Sequence, residues 1–259
     1  MALLNPGSLS AVVSLVAEDR SVGTGFLYSR SLAAQPDHHV IFIVTNNHVV
    51  DGGVTHVRFD LINGGTDLVA VQDATRAGIE WFRHETADVA VLPLPPESPL
   101  GRRSGADVLN FGDDHTPTRE EWQHVTEGNG VFVLGFPMGL VGEQRNYPIV
   151  RNGVIARIQD WHRRDAQSFL VDSTAFPGNS GGPVLLQPEA MGLEGTESIQ
   201  RSLLLGIVST YITYADVAVS QQTGRPRVRF EENSGLAEVV PIDMAKECCD
   251  AALAAVTGT

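Results

Sequence analysis

Cysteine is almost absent from this sequence. Cys248 and Cys249 are the only two in 259 residues. Neighbouring Cα atoms lie about 3.8 Å apart, which is less than the roughly 4.4 Å that a disulfide normally spans. No structural disulfide is therefore expected, whereas secreted proteins often carry several. The first 20 residues also lack a basic residue before Arg20 and a long apolar run, so no signal peptide is predicted. These absences together predict a cytoplasmic protein.

Basic residues are also few. The chain has 18 Lys and Arg against 31 Asp and Glu, a formal net charge of -13. Phosphate binding requires a basic field, so neither nucleic acid nor a membrane is expected as a partner. Asp113, Asp114 and His115 form a lone cluster in a polar stretch, which is more typical of a solvated loop than of a metal site. We predict no metal and no cofactor.

Helical periodicity is missing from most of the chain. Short runs rich in β-branched residues alternate with Gly, Pro and Asp clusters, a pattern typical of an all-β sandwich or barrel. We predict a β-barrel over residues 8–95, a linker over 96–124 that begins in a Pro-rich polar stretch, and a second barrel over 125–241. Residues 242–256 change to a helical period and predict one C-terminal α-helix. The long polar segments 187–202 and 213–235 are interpreted as exposed loops.

The stretch "TAFPGNSGGPV", residues 174–184, places Ser180 among glycines. It satisfies the G-x-S-x-G elbow of α/β-hydrolases, but that fold needs a histidine after the serine, and none follows Ser180. The alternative order is His, Asp, Ser. His48 ends the apolar run "VIFIVTNNHVV", and Asp88 directly precedes the strand-like "VAVLPL". We predict His48 as the base and Asp88 as its partner, with Glu85 the weaker alternative.

The segments "VTNNHVV", "ADVAVLPL" and "GNSGGPV", in that order, resemble the His, Asp and Ser motifs of chymotrypsin-fold, trypsin-like serine peptidases. The nearest subgroup is the HtrA/Do-like protease unit, which "VLGFPMGL" and the terminal "SGLAEVVPIDMAKECCDA" also resemble. The resemblance implies two six-stranded antiparallel β-barrels with a cleft between them. His48 and Asp88 would come from the first barrel and Ser180 from the second.

The resemblance also implies roles for the residues around the serine. Ser180 would attack a peptide carbonyl, His48 would move the proton, and the amides of Gly178 and Ser180 would form the oxyanion hole. Thr174, Ser209, Thr210 and Tyr211 match positions that contact the substrate. The expected partners are a protein or peptide substrate and, since relatives order their loops on ligand binding, a regulatory protein.

At two positions the residue differs from the one found in digestive members of this family. Asn179 stands where they carry an Asp that pairs with a freed N-terminus, so activation by cleavage is not expected. Thr174 stands where trypsins carry an acid, which disfavours Lys or Arg at the cleavage site. We predict a preference for small or medium apolar residues. The chain ends soon after its helix, so the PDZ domain usual in this subgroup is not expected.

Two other functions remain open from the residues alone. The same fold could serve as a non-catalytic peptide-binding module, because fold does not fix function. An esterase using the same three residues is the second alternative. The serine endopeptidase is preferred because all three residue types stand in the expected order.

Overall fold

The structure is a computed structural model that describes residues 4–32, 35–76, 78, 80–94, 106–107 and 109–257. Its strands are β1 (Val12–Ala17), β2 (Arg20–Leu32), β3 (Gln35–Thr45), β4 (His56–Asp60), β5 (Thr66–Ala70), β6 (Phe82–Arg83), β7 (Ala90–Leu94), β8 (Gly130–Gly135), β9 (Ile149–Arg157), β10 (Phe169–Asp172), β11 (Pro183–Leu186), β12 (Leu204–Val219) and β13 (Pro226–Pro241). Its α-helices are α1 (Gly7–Ser10), α2 (Asn47–Asp51), α3 (Val71–Arg76), α4 (Arg119–Trp122), α5 (Gln159–His162) and α6 (Ile242–Thr257). Single 3₁₀ turns cover Asp113–His115 and Pro137–Gly139.

The second half of the chain closes into a barrel. Its six strands follow the order β10-β13-β12-β11-β8-β9, and every pair is antiparallel. The interior is filled by branched and aromatic side chains of alternate strand positions, such as Val133, Phe169 and Val184, all buried. Closure leaves no free edge inside the barrel itself. This barrel and the terminal helix confirm the predicted all-β class with a C-terminal α-helix.

The first half forms a seven-stranded antiparallel sheet in the order β5-β4-β1-β2-β3-β7-β6, where six strands were predicted. The additional strand is the two-residue β6, whose Phe82 pairs with Val91 at the edge of β7. A two-residue strand leaves no alternation to read in a sequence, because one period of a strand is already two residues.

Both faces of the second half of β3 are buried, which explains its apolar run. Along β3, Ile43 packs into one core inside the first sheet, while Phe42 and Val44 pack on the opposite side. The core that contains Phe42 and Val44 is continuous with the interior of the closed barrel and with the buried face of α6. Successive strand residues point to opposite faces, so a continuous apolar run is what a doubly covered strand requires.

Helix α6 packs on the junction of the two sheets. Its buried side chains include Cys248 and Cys249, which are free thiols. The helix is also tied to the first sheet by Arg30, which bonds both Asp250 on α6 and Asp113 in the connecting segment. Buried thiols of this kind pack as small apolar groups.

The connection between the halves is only partly described. Residues 96–105 and 108 of the predicted linker lie outside the described residues. The remainder contains the Asp113–His115 turn and α4, whose Thr118 and Glu121 form a capping box. Residues 213–235, expected as a loop, are instead mostly strand. No helix within the described ranges is both long and apolar enough to cross a membrane.

Candidate active site

His48 lies in the first turn of α2, just after β3 ends at Thr45. Its Nδ1 is 2.7 Å from Asp88 Oδ2, and its backbone N–H donates to Asp88 Oδ1 at 3.1 Å. The imidazole is half exposed, with 49% of the side chain accessible. Because Nδ1 faces the carboxylate, Nε2 is the ring nitrogen left for other partners.

Asp88 is held by three neighbours. Asn46 Nδ2 donates to its backbone carbonyl at 2.7 Å, and Ser209 Oγ donates to Oδ2 at 2.7 Å. Burial alone would raise the pKa of Asp88, but the hydrogen bonds from His48 and Ser209 outweigh it and hold the pKa below its ordinary value. The carboxylate is therefore ionised at neutral pH and can orient the imidazole.

Ser180 lies in the tight turn that precedes β11. Its Oγ donates to the backbone carbonyl of Ser209 at 2.9 Å. A hydroxyl has one proton to donate, so in this rotamer Ser180 does not donate to His48. Ser209 thus contacts both Asp88, through its hydroxyl, and Ser180, through its carbonyl. The structure brings His48, Asp88, Ser209 and Ser180 together across the junction of the two sheets.

The turn before Ser180 requires glycine. Gly178 has φ +98° and Gly181 φ +86°, and a Cβ at either position would clash with a backbone carbonyl oxygen. The amides of Asn179, Gly181 and Gly182 donate to the carbonyls of Phe176, Val208 and Asn179, respectively. Among the described residues, the amides of Gly178 and Ser180 donate to no protein acceptor. Two free donors in one turn, on either side of Asn179, suit a developing oxyanion.

Thr24, in β2, fixes this turn from the first sheet. Its Oγ1 donates to Gly178 O at 2.6 Å and accepts from Phe136 N at 3.0 Å. Its backbone N–H donates to Ser180 O at 2.9 Å, and Thr45 Oγ1 donates to its carbonyl at 2.8 Å. The sequence interpretation did not single out Thr24. The available signal was a threonine between Gly23 and Gly25 in an apolar strand, which is weak by itself.

The predicted substrate-contact residues lie in two places. Ser209, Thr210 and Tyr211 are consecutive in β12, where Ser209 is buried, Thr210 is exposed and Tyr211 is half-buried against the core. Thr174 is exposed in the segment before the serine turn. Asn179 is buried, and its Nδ2 has no hydrogen-bond partner among the described residues.

The Asp113–His115 cluster has a structural role. Asp113 accepts from the Tyr28 hydroxyl at 2.5 Å and from Arg30 at 2.6 Å. These bonds hold the pKa of Asp113 below its ordinary value although burial would raise it. In the part of the chain that the structure describes, no group of three or more His, Cys, Asp or Glu residues is arranged to hold a metal ion.

Two antiparallel β-sheets with Ser, His and Asp side chains at their junction are the arrangement found in trypsin-like serine peptidases. The family model of the trypsin-like peptidase domain matches residues 23–190, well over half of the chain. The chain belongs to the trypsin-like peptidase family, and membership supports a serine endopeptidase.

Within that family the chain is similar to Do-like proteases. It is 31% identical over 167 residues to a probable periplasmic serine endoprotease DegP-like of Chlamydia pneumoniae, covering 63% of this chain and 26% of the relative. It is 28% identical over 155 residues to a putative protease Do-like 12, mitochondrial, of Arabidopsis thaliana, covering 58% and 26%. The matched region thus spans about a quarter of the length of these relatives.

These relatives contradict the predicted cytoplasmic location. One is named periplasmic and the other mitochondrial, and neither is a cytoplasmic location. The prediction was wrong because it rested on two absences, that of a structural disulfide and that of a recognisable signal peptide. A fold that buries a large apolar core needs no disulfide, so a lack of cysteine does not report the compartment.

Solved structures share the fold. A serine endoprotease from Yersinia pestis matches with a TM-score of 0.50 and 17% identity, over 95% of this chain and 64% of that chain. Human heparin binding protein matches with a TM-score of 0.56 and 12% identity, over 96% and 94%. At these identities the likeness concerns the fold alone, and activity has to be argued from the site.

Proposed function

We propose that this chain is a serine endopeptidase in which Ser180 is the nucleophile, His48 the general base and Asp88 the residue that orients His48. The observation that carries the proposal is the unbroken series of contacts from His48 Nδ1 to Asp88, from Asp88 to Ser209, and from Ser209 to Ser180. The two unengaged amides of Gly178 and Ser180 beside the hydroxyl add the electrostatic part of the site.

The proposed reaction proceeds through an acyl-enzyme. The hydroxyl of Ser180 first breaks its hydrogen bond to the carbonyl of Ser209. Its Oγ then passes the proton to His48 Nε2 and forms a bond to the carbonyl carbon of the substrate. The carbonyl oxygen becomes an oxyanion that accepts from the amides of Gly178 and Ser180. His48 then gives the proton to the leaving amine as the C–N bond breaks. A water molecule, deprotonated by His48, hydrolyses the resulting ester and restores Ser180.

The proposed substrate is a protein or peptide with a small or medium apolar residue at the cleavage site. Thr174 carries no charge that could hold Lys or Arg. Tyr211 is half-buried and packs against the core, and in this proposal it limits the size of the substrate side chain that fits at the cleavage site. A peptide-library profile tests this directly. Small aliphatic residues should dominate, and a profile dominated by Arg or Lys would contradict the assignment.

We propose that the chain does not need a newly formed N-terminus to become active. Asn179 is buried and uncharged, so it offers no carboxylate to an ammonium group. The full-length chain should react with a fluorophosphonate at the rate of an N-terminally trimmed chain. Reaction of the trimmed chain alone would refute the proposal.

A non-catalytic peptide-binding function is the competing proposal. It is favoured by one observation, that Ser180 donates to Ser209 O instead of to His48. Fluorophosphonate labelling separates the two functions: wild type should label, and Ser180→Ala and His48→Ala should not. Equal labelling of wild type and Ser180→Ala would remove Ser180 as the nucleophile. Peptide binding without labelling of wild type would favour the binding module, and cleavage of esters but not peptides would favour an esterase.

A further inference from the structure

Strand β12 continues far beyond the active site. Inside the barrel it pairs with β11 from Leu204 to Ile207 and with β13 from Gly206 onward. Past Ser209, the pairing with β13 is the one that continues among the described residues, as far as Val219 opposite Pro226. Nearly every residue in 210–219 and 226–232 is exposed. The chain thus projects a two-stranded hairpin of about 30 Å, at roughly 3.3 Å per residue.

The hairpin leaves one edge of β12 open next to the reacting serine. An isolated two-stranded hairpin is only marginally stable, and an open edge presents unpaired N–H and C=O groups to any extended chain. This open edge begins at Ser209, whose carbonyl already contacts Ser180 Oγ. The edge and the proposed reaction centre are therefore continuous.

The hairpin also exposes apolar side chains. Directly paired residues of antiparallel strands share a face, so Phe230 lies opposite Asp216 and Val228 opposite Ala218, on the face that also carries Tyr214. Tyr214 is 60% exposed and Phe230 52%. The other face carries Val217 opposite Arg229. Exposed apolar surface on both faces suits an added strand whose side chains alternate between them.

The chemistry of the site decides which part of a substrate would meet this edge. His48 must protonate the leaving amine, so the C-terminal product lies on the side of the first sheet, which carries His48. The acyl portion then lies on the side of the closed barrel, where β12 leads away from Ser180. The substrate segment on the N-terminal side of the scissile bond is the part directed along β12.

We propose that the open edge of the projecting part of β12, from Thr213 to Val219, is a docking strand for substrate residues from roughly the fifth to the tenth upstream of the cleaved bond. The inference rests on the proposed peptidase function and adds a substrate class to it: long, extended polypeptides with apolar residues upstream of the cleavage site. Peptides with only four upstream residues end before this edge and forgo its backbone hydrogen bonds.

The test compares peptides that share one cleavable core and carry four or ten residues upstream of it. The ten-residue version is made with an alternating apolar extension and with a Gly-Ser extension. For wild type, kcat/KM should be at least tenfold higher for the peptide with the ten-residue apolar extension than for the peptide with four upstream residues. The increase should be smaller for the peptide with the Gly-Ser extension. The matched variant replaces residues 214–232 by Asn-Gly, which closes a two-residue turn on the Thr213–Asn233 pair. It should cleave the short peptide like wild type and lose the length effect.

Two further measurements do not depend on the folding of the shortened variant. N-methylation of single upstream amides in the substrate should lower kcat/KM at every second position, because only alternate amides of an added strand face its partner. Tyr214→Ser with Phe230→Ser should remove the advantage of the apolar over the Gly-Ser extension. Gln221→Ser with Gln222→Ser, at the hairpin turn, is the control and should retain that advantage.

The outcomes separate this inference from the proposed function. Equal kcat/KM for four and ten upstream residues, with Ser180-dependent cleavage of both, would overturn the docking strand and leave the peptidase intact. Wild-type oligomers that become monomers in the shortened variant, without any length effect, would make the hairpin an assembly contact and also overturn it. Failure of Ser180 to label or to cleave any peptide would refute the proposed function itself.

Discussion

Thr24 Oγ1 donates a 2.6 Å hydrogen bond to the carbonyl of Gly178 and at the same time accepts one from the amide of Phe136. One side chain of the first sheet therefore sets the orientation of a peptide unit in the serine turn of the second. Thr24 touches no reacting atom in the proposed mechanism, so it is a positioning residue whose effect is transmitted through the Gly178 backbone.

Replacing Thr24 by Val should lower kcat by about 10- to 100-fold, less than or similar to the loss of a whole oxyanion donor. KM should change by less than about threefold, because a misplaced oxyanion donor is felt in the transition state. Thr24→Ser keeps the hydroxyl and should recover most of the activity. A Val variant with a native melting temperature and full kcat would show that this bond does not position the turn.

Ser209→Ala should make activity more sensitive to acid. The pKa of Asp88 lies below its ordinary value in part because Ser209 donates to it, so the variant raises that pKa. A carboxylate whose pKa is lowered in the folded protein is ionised at any pH above its ordinary pKa. It loses its charge, and with it its hold on His48, as the pH falls through the lowered value. We expect kcat/KM to fall about three- to tenfold at pH 7 and the wild-type to variant ratio to widen as the pH falls toward the ordinary carboxyl pKa of about 4. Rate profiles of Ser209→Ala and Ser209→Thr measure this, and parallel profiles would contradict it.

The serine turn and the strand runs were predictable because their signals are local. Glycines around Ser180 answer a local need for positive φ, and the doubly buried strands appear as apolar runs. Thr24 and Asn46 could not be found in this way. Each acts through bonds to residues far along the chain, 154 positions away for Thr24 and 42 for Asn46. The hairpin of β12 and β13 was missed because its exposed residues alternate weakly between polar and apolar.

Glu127 should stabilise the protein at neutral pH and not in acid. Its Oε1 accepts from the amides of Ile158 and Gln159 at the start of α5, at 2.8 and 3.0 Å. Burial would raise the pKa of Glu127, but these bonds lower it to about 2. The contribution is therefore complete above about pH 4.5 and is lost as the pH falls toward 2. Urea unfolding of Glu127→Gln should show a loss of about 1–2 kcal/mol at pH 7.

The matched control for that measurement is Glu120→Gln, an exposed carboxylate on α4. It should change the free energy of unfolding by less than about 0.5 kcal/mol. The difference between wild type and Glu127→Gln should shrink as the pH is lowered from 5 to 3. A deficit that stays constant over this range would mean that packing, and not the ionised carboxylate, accounts for the effect.

The thiols of Cys248 and Cys249 should be almost unreactive toward thiol reagents in the folded protein. Burial raises the pKa of Cys248 to about 11 and that of Cys249 well above its ordinary value. The thiolate is the reactive form, so native protein at pH 8 should react with a disulfide reagent at well under a tenth of the rate seen in urea. Cys248→Ser should leave one reactive thiol in urea. Fast labelling of the native wild type would show that α6 opens readily.

Strand β12 lies partly in the barrel core and partly in solvent, and its change of environment falls at Ser209 and Thr210. Local opening costs little free energy where few apolar contacts are buried and approaches the global value in a packed core. Amide hydrogen exchange along this single strand should therefore step from slow to fast within a residue or two of the carbonyl that holds Ser180. The proposed nucleophile is thus anchored at the boundary between the most and the least protected parts of one strand.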